Sequence, residues 1–121
     1  MKIETPAYFN KRQADKWALI TGQLNEYGLL SRLDSDIITV YVENWEDWLT
    51  ATEAIRKDGQ VIEGHRGNPR QHPAYPIARD CAERLRKLAD VMGLTPSSRR
   101  RMGVQEPEEV PDDIARLLSF Q

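Results

Sequence analysis

The sequence predicts an all-α protein in which two long antiparallel helices form a hairpin, with an N-terminal helix and short C-terminal helices beside it. Three observations support this fold class. Apolar residues recur at spacings of three and four over long stretches, Gly-Leu pairs follow two of those stretches, and glycine and proline concentrate near residues 59–76 and 103–111. The pattern leaves room only for a minor short β-hairpin, near residues 60–66.

The first helix is predicted from Lys11 to about Tyr27. Asn10 precedes it as an N-cap, and Gln13 stands where a capping-box side chain reaches back. Gly28 supplies the left-handed residue that commonly ends a helix, and an apolar residue follows it. The apolar face of this helix consists of Trp17, Ile20, Leu24 and Tyr27.

The second helix is predicted from Arg32 to about Lys57, with Ser31 and Asp34 as its N-terminal cap. Its segment DIITVYV is rich in β-branched residues, which favour strands. A helix is nevertheless predicted, because apolar and aromatic residues keep one helical face well beyond the length of a strand. That face consists of Leu33, Ile37, Tyr41, Trp45, Trp48, Thr52 and Ile55.

A third helix is predicted from about Ala74 to Met92, after a segment whose glycines and prolines exclude a regular helix. Its apolar seam consists of Ile77, Cys81, Leu85, Leu88 and Met92. Thr95 is then an N-cap and Pro96 a first helical residue, so a short helix should follow and end at Gly103.

The composition argues against several classes of protein. The chain has 121 residues, a net charge of −2 and a single cysteine, Cys81, so we expect no internal disulfide and an intracellular setting. It shows neither a signal peptide nor a membrane-spanning segment. His65 and His72 have no carboxylate at metal-ligand spacing, and Cys81 falls on a predicted buried seam. We therefore expect no metal, no cofactor and no catalytic activity.

Charge is distributed unevenly along the chain. Residues 79–101 contain seven basic and three acidic side chains, whereas residues 106–121 contain five acidic and one basic. A local basic surplus suits phosphate contact, but on composition alone a solvated helix surface is the more common meaning. The change of charge also separates a helical domain, 1–103, from an acidic linker with a short terminal helix, 104–121.

Two features leave alternatives open. The first feature is a set of large apolar residues on the two long helices: Trp45, Trp48, Leu85 and Leu88. Either they pack inside one protomer or they form an interface between copies. The first two helices, joined by GLLS, also resemble a helix-turn-helix that reads an operator. The acidic side chains of the second helix favour simple packing of that pair instead.

The segment LRKLADVMGLTPSSRRRM, residues 85–102, resembles the segment that closes the shared region of tailed-phage terminase small subunits. The upstream order of GLLSRLD, DGQV and GNP is similar to the same family, and the resemblance extends from about residue 14 to residue 103. It implies a helical, non-catalytic packaging subunit that forms a homo-oligomeric ring and binds the packaging-initiation site on viral double-stranded DNA. It also implies recruitment or regulation of the terminase large subunit, the ATPase and nuclease, in the host cytoplasm.

The resemblance implies roles for particular residues. Those implied to bind DNA are Arg99, Arg100, Arg101, Arg66, Arg70, Lys11, Arg12 and Lys16. The ring would form through the two long helices, and the terminal helix is the candidate for docking the large subunit, through Ile114, Leu117 and Leu118. The alternatives are that the arginine run pairs with acids of a neighbouring subunit, that the protein is a small dimeric helix-turn-helix regulator, or that it is an adaptor that touches only protein.

Overall fold

The computed structural model describes residues 2–105. The helices in this range are α1 (Lys11–Glu26), α2 (Ser35–Asp58), α3 (Ala74–Met92) and α4 (Pro96–Arg101), and the strands are β1 (Val61–Glu63) and β2 (Pro69–Gln71). The most extensive packing is between α2 and α3, which run antiparallel, and α1 packs against α2. The prediction of an all-α fold with a helical hairpin and a minor β-hairpin is confirmed.

The ends of α1 are formed by the residues that the sequence indicates. The side chain of Asn10 accepts a hydrogen bond from the backbone N–H of Gln13 at 2.8 Å, and the Gln13 side chain accepts one from the Asn10 N–H at 3.1 Å. At the other end Gly28 has φ of 68°, and the Leu29 N–H donates to the carbonyl of Leu24 at 2.8 Å. Because glycine adopts this left-handed conformation without strain, the chain turns sharply toward α2.

The start of α2 differs from the prediction. Residues 32–34 form a 3-10 turn, in which the Asp34 N–H donates to the Ser31 carbonyl at 3.0 Å, and α2 begins only at Ser35. Asp34 makes no side-chain capping hydrogen bond. The 3-10 turn therefore moves the start of α2 three residues beyond the predicted Arg32. Asp34, which now precedes α2, has helical φ and ψ and lacks the extended backbone with which an N-cap side chain reaches the first N–H groups.

The core lies where α1, the first half of α2 and the end of α3 meet. Its buried residues are Trp17, Ile20, Leu24, Ile38, Val42 and Met92. Ile38 is 0% exposed, although the predicted face of α2 passes through its neighbour Ile37, which is 37% exposed. Because α2 lies between α1 and α3, it buries a second stripe beside the predicted one. Tertiary packing thus outweighs the strand preference of the β-branched residues in this segment.

His72 joins the end of α2 to the start of α3 and is buried, although it stands in the segment of glycines and prolines between these helices. Its Nδ1 accepts a hydrogen bond from the Ala74 N–H at 3.0 Å, and its Nε2 lies 3.0 Å from an oxygen of Asp58. Since Nδ1 is the acceptor, Nε2 carries the proton and donates to the carboxylate. The backbone N–H of His72 donates to the Gln60 carbonyl at 2.8 Å. These bonds fix the base of the β-hairpin relative to the two long helices.

Candidate nucleic-acid interface

The β-ribbon, residues 61–71, carries two exposed cationic side chains. Strands β1 and β2 pair antiparallel, with Ile62 opposite Arg70 and Glu63 opposite Pro69. Because directly opposite residues share a face and successive residues alternate, Arg70 lies on the Ile62 face and Glu63 on the other. Arg66 lies in the turn that connects the strands. Neither arginine forms an ion pair with a carboxylate within residues 2–105.

The turn holds Arg66 in an unusual backbone conformation. Its φ and ψ are 57° and 29°, in the left-handed region that residues other than glycine occupy infrequently. Throughout residues 2–105, no other residue except glycine has a positive φ. Gly67 follows with φ of 75°. Two consecutive left-handed residues reverse the chain tightly, and they place Arg66 at the apex of the ribbon.

Gly64 allows the side chain of Arg70 to lie along the ribbon. A Cβ atom at Gly64 would be 2.7 Å from the Cδ and 2.8 Å from the Cγ of Arg70, so the aliphatic stem of the arginine occupies the space of the missing side chain. The Gly64 N–H donates to the carbonyl of Asn68 at 2.7 Å and closes the turn. Any larger residue at position 64 would displace Arg70 from this flank.

The second predicted DNA-contacting group, the arginine run of α4, does not present its three side chains together. Arg99 is only 8% exposed. Its guanidinium lies 4.2 Å from the ring centroid of Tyr27 and donates to the buried carbonyl of Gly93 at 3.1 Å. The cationic group of Arg99 is therefore directed into the protein and lies on the turn that ends α1, a placement that does not support its predicted contact with DNA.

The divergence of the run follows from helix geometry. Successive residues of an α-helix are rotated by about 100°, so three neighbours cannot face one surface. Arg100 is exposed and forms no ion pair inside the described part of the chain, whereas Arg101 pairs with Asp90 on α3 at 2.7 Å. Because both side chains of that pair are half-exposed, it contributes little stability and can exchange for a phosphate.

The basic residues predicted on α1 are engaged with neighbours. Arg12 lies 2.7 Å from a carboxylate oxygen of Glu46 and 2.8 Å from one of Glu53, so it links α1 to α2. These hydrogen bonds, chiefly those that Arg12 donates to Glu46, raise the pKa of Arg12 above its ordinary value. Lys11 pairs with Asp15 at 2.9 Å on the solvated surface. Lys16 places its ammonium 5.2 Å from the ring centroid of Trp45.

The link between Arg12 and Glu46 gives a prediction for the pH dependence of stability. The hydrogen bond from Arg12 lowers the pKa of Glu46 below its ordinary value of 4.5. Glu46 therefore stabilises the folded protein above that value, and this contribution is lost as the pH falls through the lowered pKa. In acid titrations of unfolding free energy, Glu46→Gln should reduce the loss of stability below pH 4.5. The same loss in wild type and variant would show that the contact adds nothing to folding.

The structure separates the predicted cations into distant groups. The β-ribbon lies at the N-terminal end of α3, and α4 follows its C-terminal end. Since α3 has 19 residues, the two groups are about 28 Å apart along the hairpin. The α1 cations lie between them, against the middle of α2. No single basic surface collects all the residues that the sequence indicates.

The four residues predicted at an oligomer interface, Trp45, Trp48, Leu85 and Leu88, are each half-buried in the protomer. Leu88 packs against the core, and Trp48 lines an open groove of about 450 Å³ together with Ile55 and Tyr75. The predicted docking residues for the large subunit, Ile114, Leu117 and Leu118, lie outside the described residues. The structure accordingly leaves both assignments as predictions.

Two observations on the described residues, the state of Cys81 and the search for metal ligands, bear on catalysis. Cys81 is buried, and burial, with a smaller effect of Asp47, raises the pKa of its thiol. A raised pKa leaves less thiolate, the nucleophilic form. Residues 2–105 contain no group of three His, Cys, Asp or Glu side chains placed to hold a metal ion. Each helix of this range is also too short or too polar to cross a bilayer.

Comparison with known proteins identifies the chain at the level of its family. No curated protein and no solved structure matches it. A family model described as phage terminase, small subunit, matches residues 14–109, which is most of the 121 residues. The matched range includes the β-ribbon and all four helices, apart from the first three residues of α1. The chain belongs to the phage terminase small subunit family.

Proposed function

We propose that this protein is the DNA-recognition subunit of a phage packaging motor. It binds viral double-stranded DNA at the packaging-initiation site and recruits or regulates the large subunit, which supplies the ATPase and nuclease, in the host cytoplasm. Family membership supports the packaging role. The observation that carries DNA contact is that Arg66 and Arg70 are exposed without a carboxylate partner in residues 2–105. By contrast, Arg12 and Arg101 are already paired.

The other predicted cations take secondary places in this proposal. Arg100 is exposed on α4 and adds a contact at the far end of the hairpin. Lys11 and Arg101 belong to exposed ion pairs, which are weak enough for a phosphate to replace the carboxylate. Lys16 keeps its charge at the surface over Trp45. Arg99 has no part in DNA contact, because its side chain is directed inward.

DNA binding is tested by a salt titration of affinity for a fluorescent duplex. The double variant Arg66→Ala/Arg70→Ala should weaken binding and make the slope of log K against log salt shallower by about 0.9 to 1.8, since each neutralised phosphate contributes about 0.9. The matched control is Arg79→Ala/Arg86→Ala, which removes two exposed arginines that pair within α3. The control should keep most of the wild-type slope.

The outcomes of this titration separate the competing functions. Equal losses of slope in the two double variants would remove the β-ribbon as the site. If the wild type binds no duplex even at low salt, the protein is an adaptor that contacts only protein. A helix-turn-helix regulator instead requires binding to depend on Lys11, Arg12 and Arg32. That alternative has less support, because Arg12 is held by two carboxylates of α2.

Assembly into a ring is the second part of the proposal. The half-buried residues Trp45, Trp48, Leu85 and Leu88 leave apolar surface on the two long helices for other copies. Size-exclusion chromatography with light scattering should show a closed oligomer. Trp48→Ala should lower the measured mass of the oligomer. The control Leu19→Ala, which removes an exposed apolar side chain of α1, should leave that mass unchanged. A monomer at high protein concentration would contradict ring formation.

The last part of the proposal concerns the segment 104–121. We assign it as a linker with a terminal docking element for the large subunit, distinct from the helical domain 1–103. The support is compositional: five acidic residues precede or accompany Ile114, Leu117 and Leu118. Removing residues 112–121 should abolish co-purification with the large subunit and leave DNA affinity unchanged.

A further inference from the structure

We propose that Arg66 enters the minor groove of the bound duplex and that this contact favours A·T-rich sequence. The inference rests on the proposed DNA-binding function and adds to it the groove that is contacted. It is argued from the shape of the β-ribbon, from the conformation of its apex and from the residues on its two faces.

The apex of the ribbon is narrow. Gly64 and Gly67 flank the pair His65 and Arg66 and contribute no side chains of their own, while the stem of Arg70 lies over Gly64 and a carboxylate oxygen of Glu63 lies beside Gly67. A minor groove is about 6 Å wide, which excludes a helix but admits a single extended side chain. An arginine at the tip of a tight turn between two glycines matches that width, because the backbone stays outside the groove while the guanidinium reaches in.

Major-groove reading by the ribbon has less support from its faces. The major groove admits a two-stranded ribbon, but readout requires donors and acceptors along the inserted face. One face of this ribbon carries Ile62 beside Arg70, and the other carries Val61 beside Gln71 and Glu63 beside Pro69. Each strand is three residues long, about 10 Å, so few base edges fall within reach of Arg70 or Gln71. The cation at the apex is therefore better placed for a groove contact than the side chains of the strands.

The backbone at position 66 does not by itself require arginine. A left-handed φ of 57° suits glycine or asparagine better, because neither has the steric conflict of a longer side chain. Arg66 is exposed and makes no ion pair in residues 2–105, so its side chain adds no such contact to the fold. A guanidinium held at a strained apex and facing solvent is explained by a ligand outside the protein.

The electrostatic potential of the minor groove determines which DNA sequence Arg66 should prefer. Narrow A·T-rich minor grooves carry an enhanced negative potential that attracts arginine. Arg70, on one flank of the ribbon, is placed to meet a phosphate beside the groove, and Glu63 lies on the opposite face near Gly67. The ribbon consequently has one basic and one acidic flank, which fixes how it turns relative to the phosphate backbone.

The test uses two variants at position 66. Arg66→Gly fits the left-handed turn, so its thermal unfolding temperature should equal or exceed that of the wild type. Arg66→Lys keeps the charge but loses the planar donor group. A structural role for the arginine would instead appear as lower stability of Arg66→Gly, which separates folding from DNA contact.

Affinity is measured for three duplexes whose central base pairs are A·T, G·C or inosine·cytosine. Inosine·cytosine presents the minor-groove pattern of A·T and the major-groove pattern of G·C. The wild type should bind the A·T and inosine·cytosine duplexes about tenfold more tightly than the G·C duplex. Arg66→Gly should remove this preference, and Arg66→Lys should retain only part of it.

Each other outcome overturns a distinct claim. Equal binding of the inosine·cytosine and G·C duplexes, both weaker than A·T, would place the contact in the major groove. An unchanged preference in Arg66→Gly would exclude this residue, while DNA binding itself would stand. Absence of wild-type binding to all three duplexes would reject the proposed function together with the inference.

Discussion

Ile38→Ala is expected to lower the free energy of unfolding by about 4 kcal/mol, because the side chain is 0% exposed and packs in the core. The matched variant, Ile37→Ala, should cost about 1 kcal/mol or less, since its side chain is 37% exposed. Both are measured by urea denaturation, with the slope m compared to verify a two-state transition.

The comparison of these neighbours tests the orientation of α2. The apolar periodicity of the sequence favours Ile37 over Ile38, whereas the structure packs Ile38 between α1 and the end of α3. If Ile37→Ala proves as costly as Ile38→Ala, then α2 is rotated relative to the structure described. The large cost arises because α1 and α3 hold the site open and limit collapse around the cavity.

Arg99→Ala is expected to cost about 3 kcal/mol of unfolding free energy and to leave the affinity for DNA unchanged. The variant removes a charged hydrogen bond to the buried carbonyl of Gly93 and the contact with the Tyr27 ring. Hydrogen bonds to charged groups contribute about 1.5–3 kcal/mol, and cation–π contacts about 0.5–2 kcal/mol. The loss also leaves the carbonyl without this donor.

The neighbouring Arg100→Ala should show the reverse behaviour. Its side chain is exposed, so we expect a stability change within about 0.5 kcal/mol and a shallower salt slope for DNA binding. Thermal unfolding and the duplex titration are carried out on both variants. A DNA slope that falls for Arg99→Ala at full stability would restore Arg99 to the binding surface and contradict its inward placement.

Helix ends were the most predictable part of this fold. Asn10 with Gln13 forms the capping box expected of that spacing, and Thr95 with Pro96 begins α4 in the predicted manner. Such signals depend on residues a few positions apart, so the sequence contains all of their parts. The start of α2 is the exception, because residues 32–34 form a 3-10 turn and α2 begins only at Ser35.

The environment of each arginine was not predictable, because it depends on residues distant in sequence. Three consecutive arginines look equivalent along the chain, yet Arg99 finds Tyr27 at the end of α1 and Arg101 finds Asp90. Helical rotation indicates that the side chains diverge, but not which one turns inward. The glycines around Arg66 do indicate a turn. The left-handed φ of Arg66 could not be predicted from them and is known only from the structure.

The distance between the β-ribbon and α4 determines the length of duplex that one protomer can contact. Two contact points about 28 Å apart correspond to about eight base pairs along one strand at 3.4 Å each. A protomer that uses both ends on one duplex therefore covers nearly a full turn of double helix, and oligonucleotides much shorter than that can occupy only one of them.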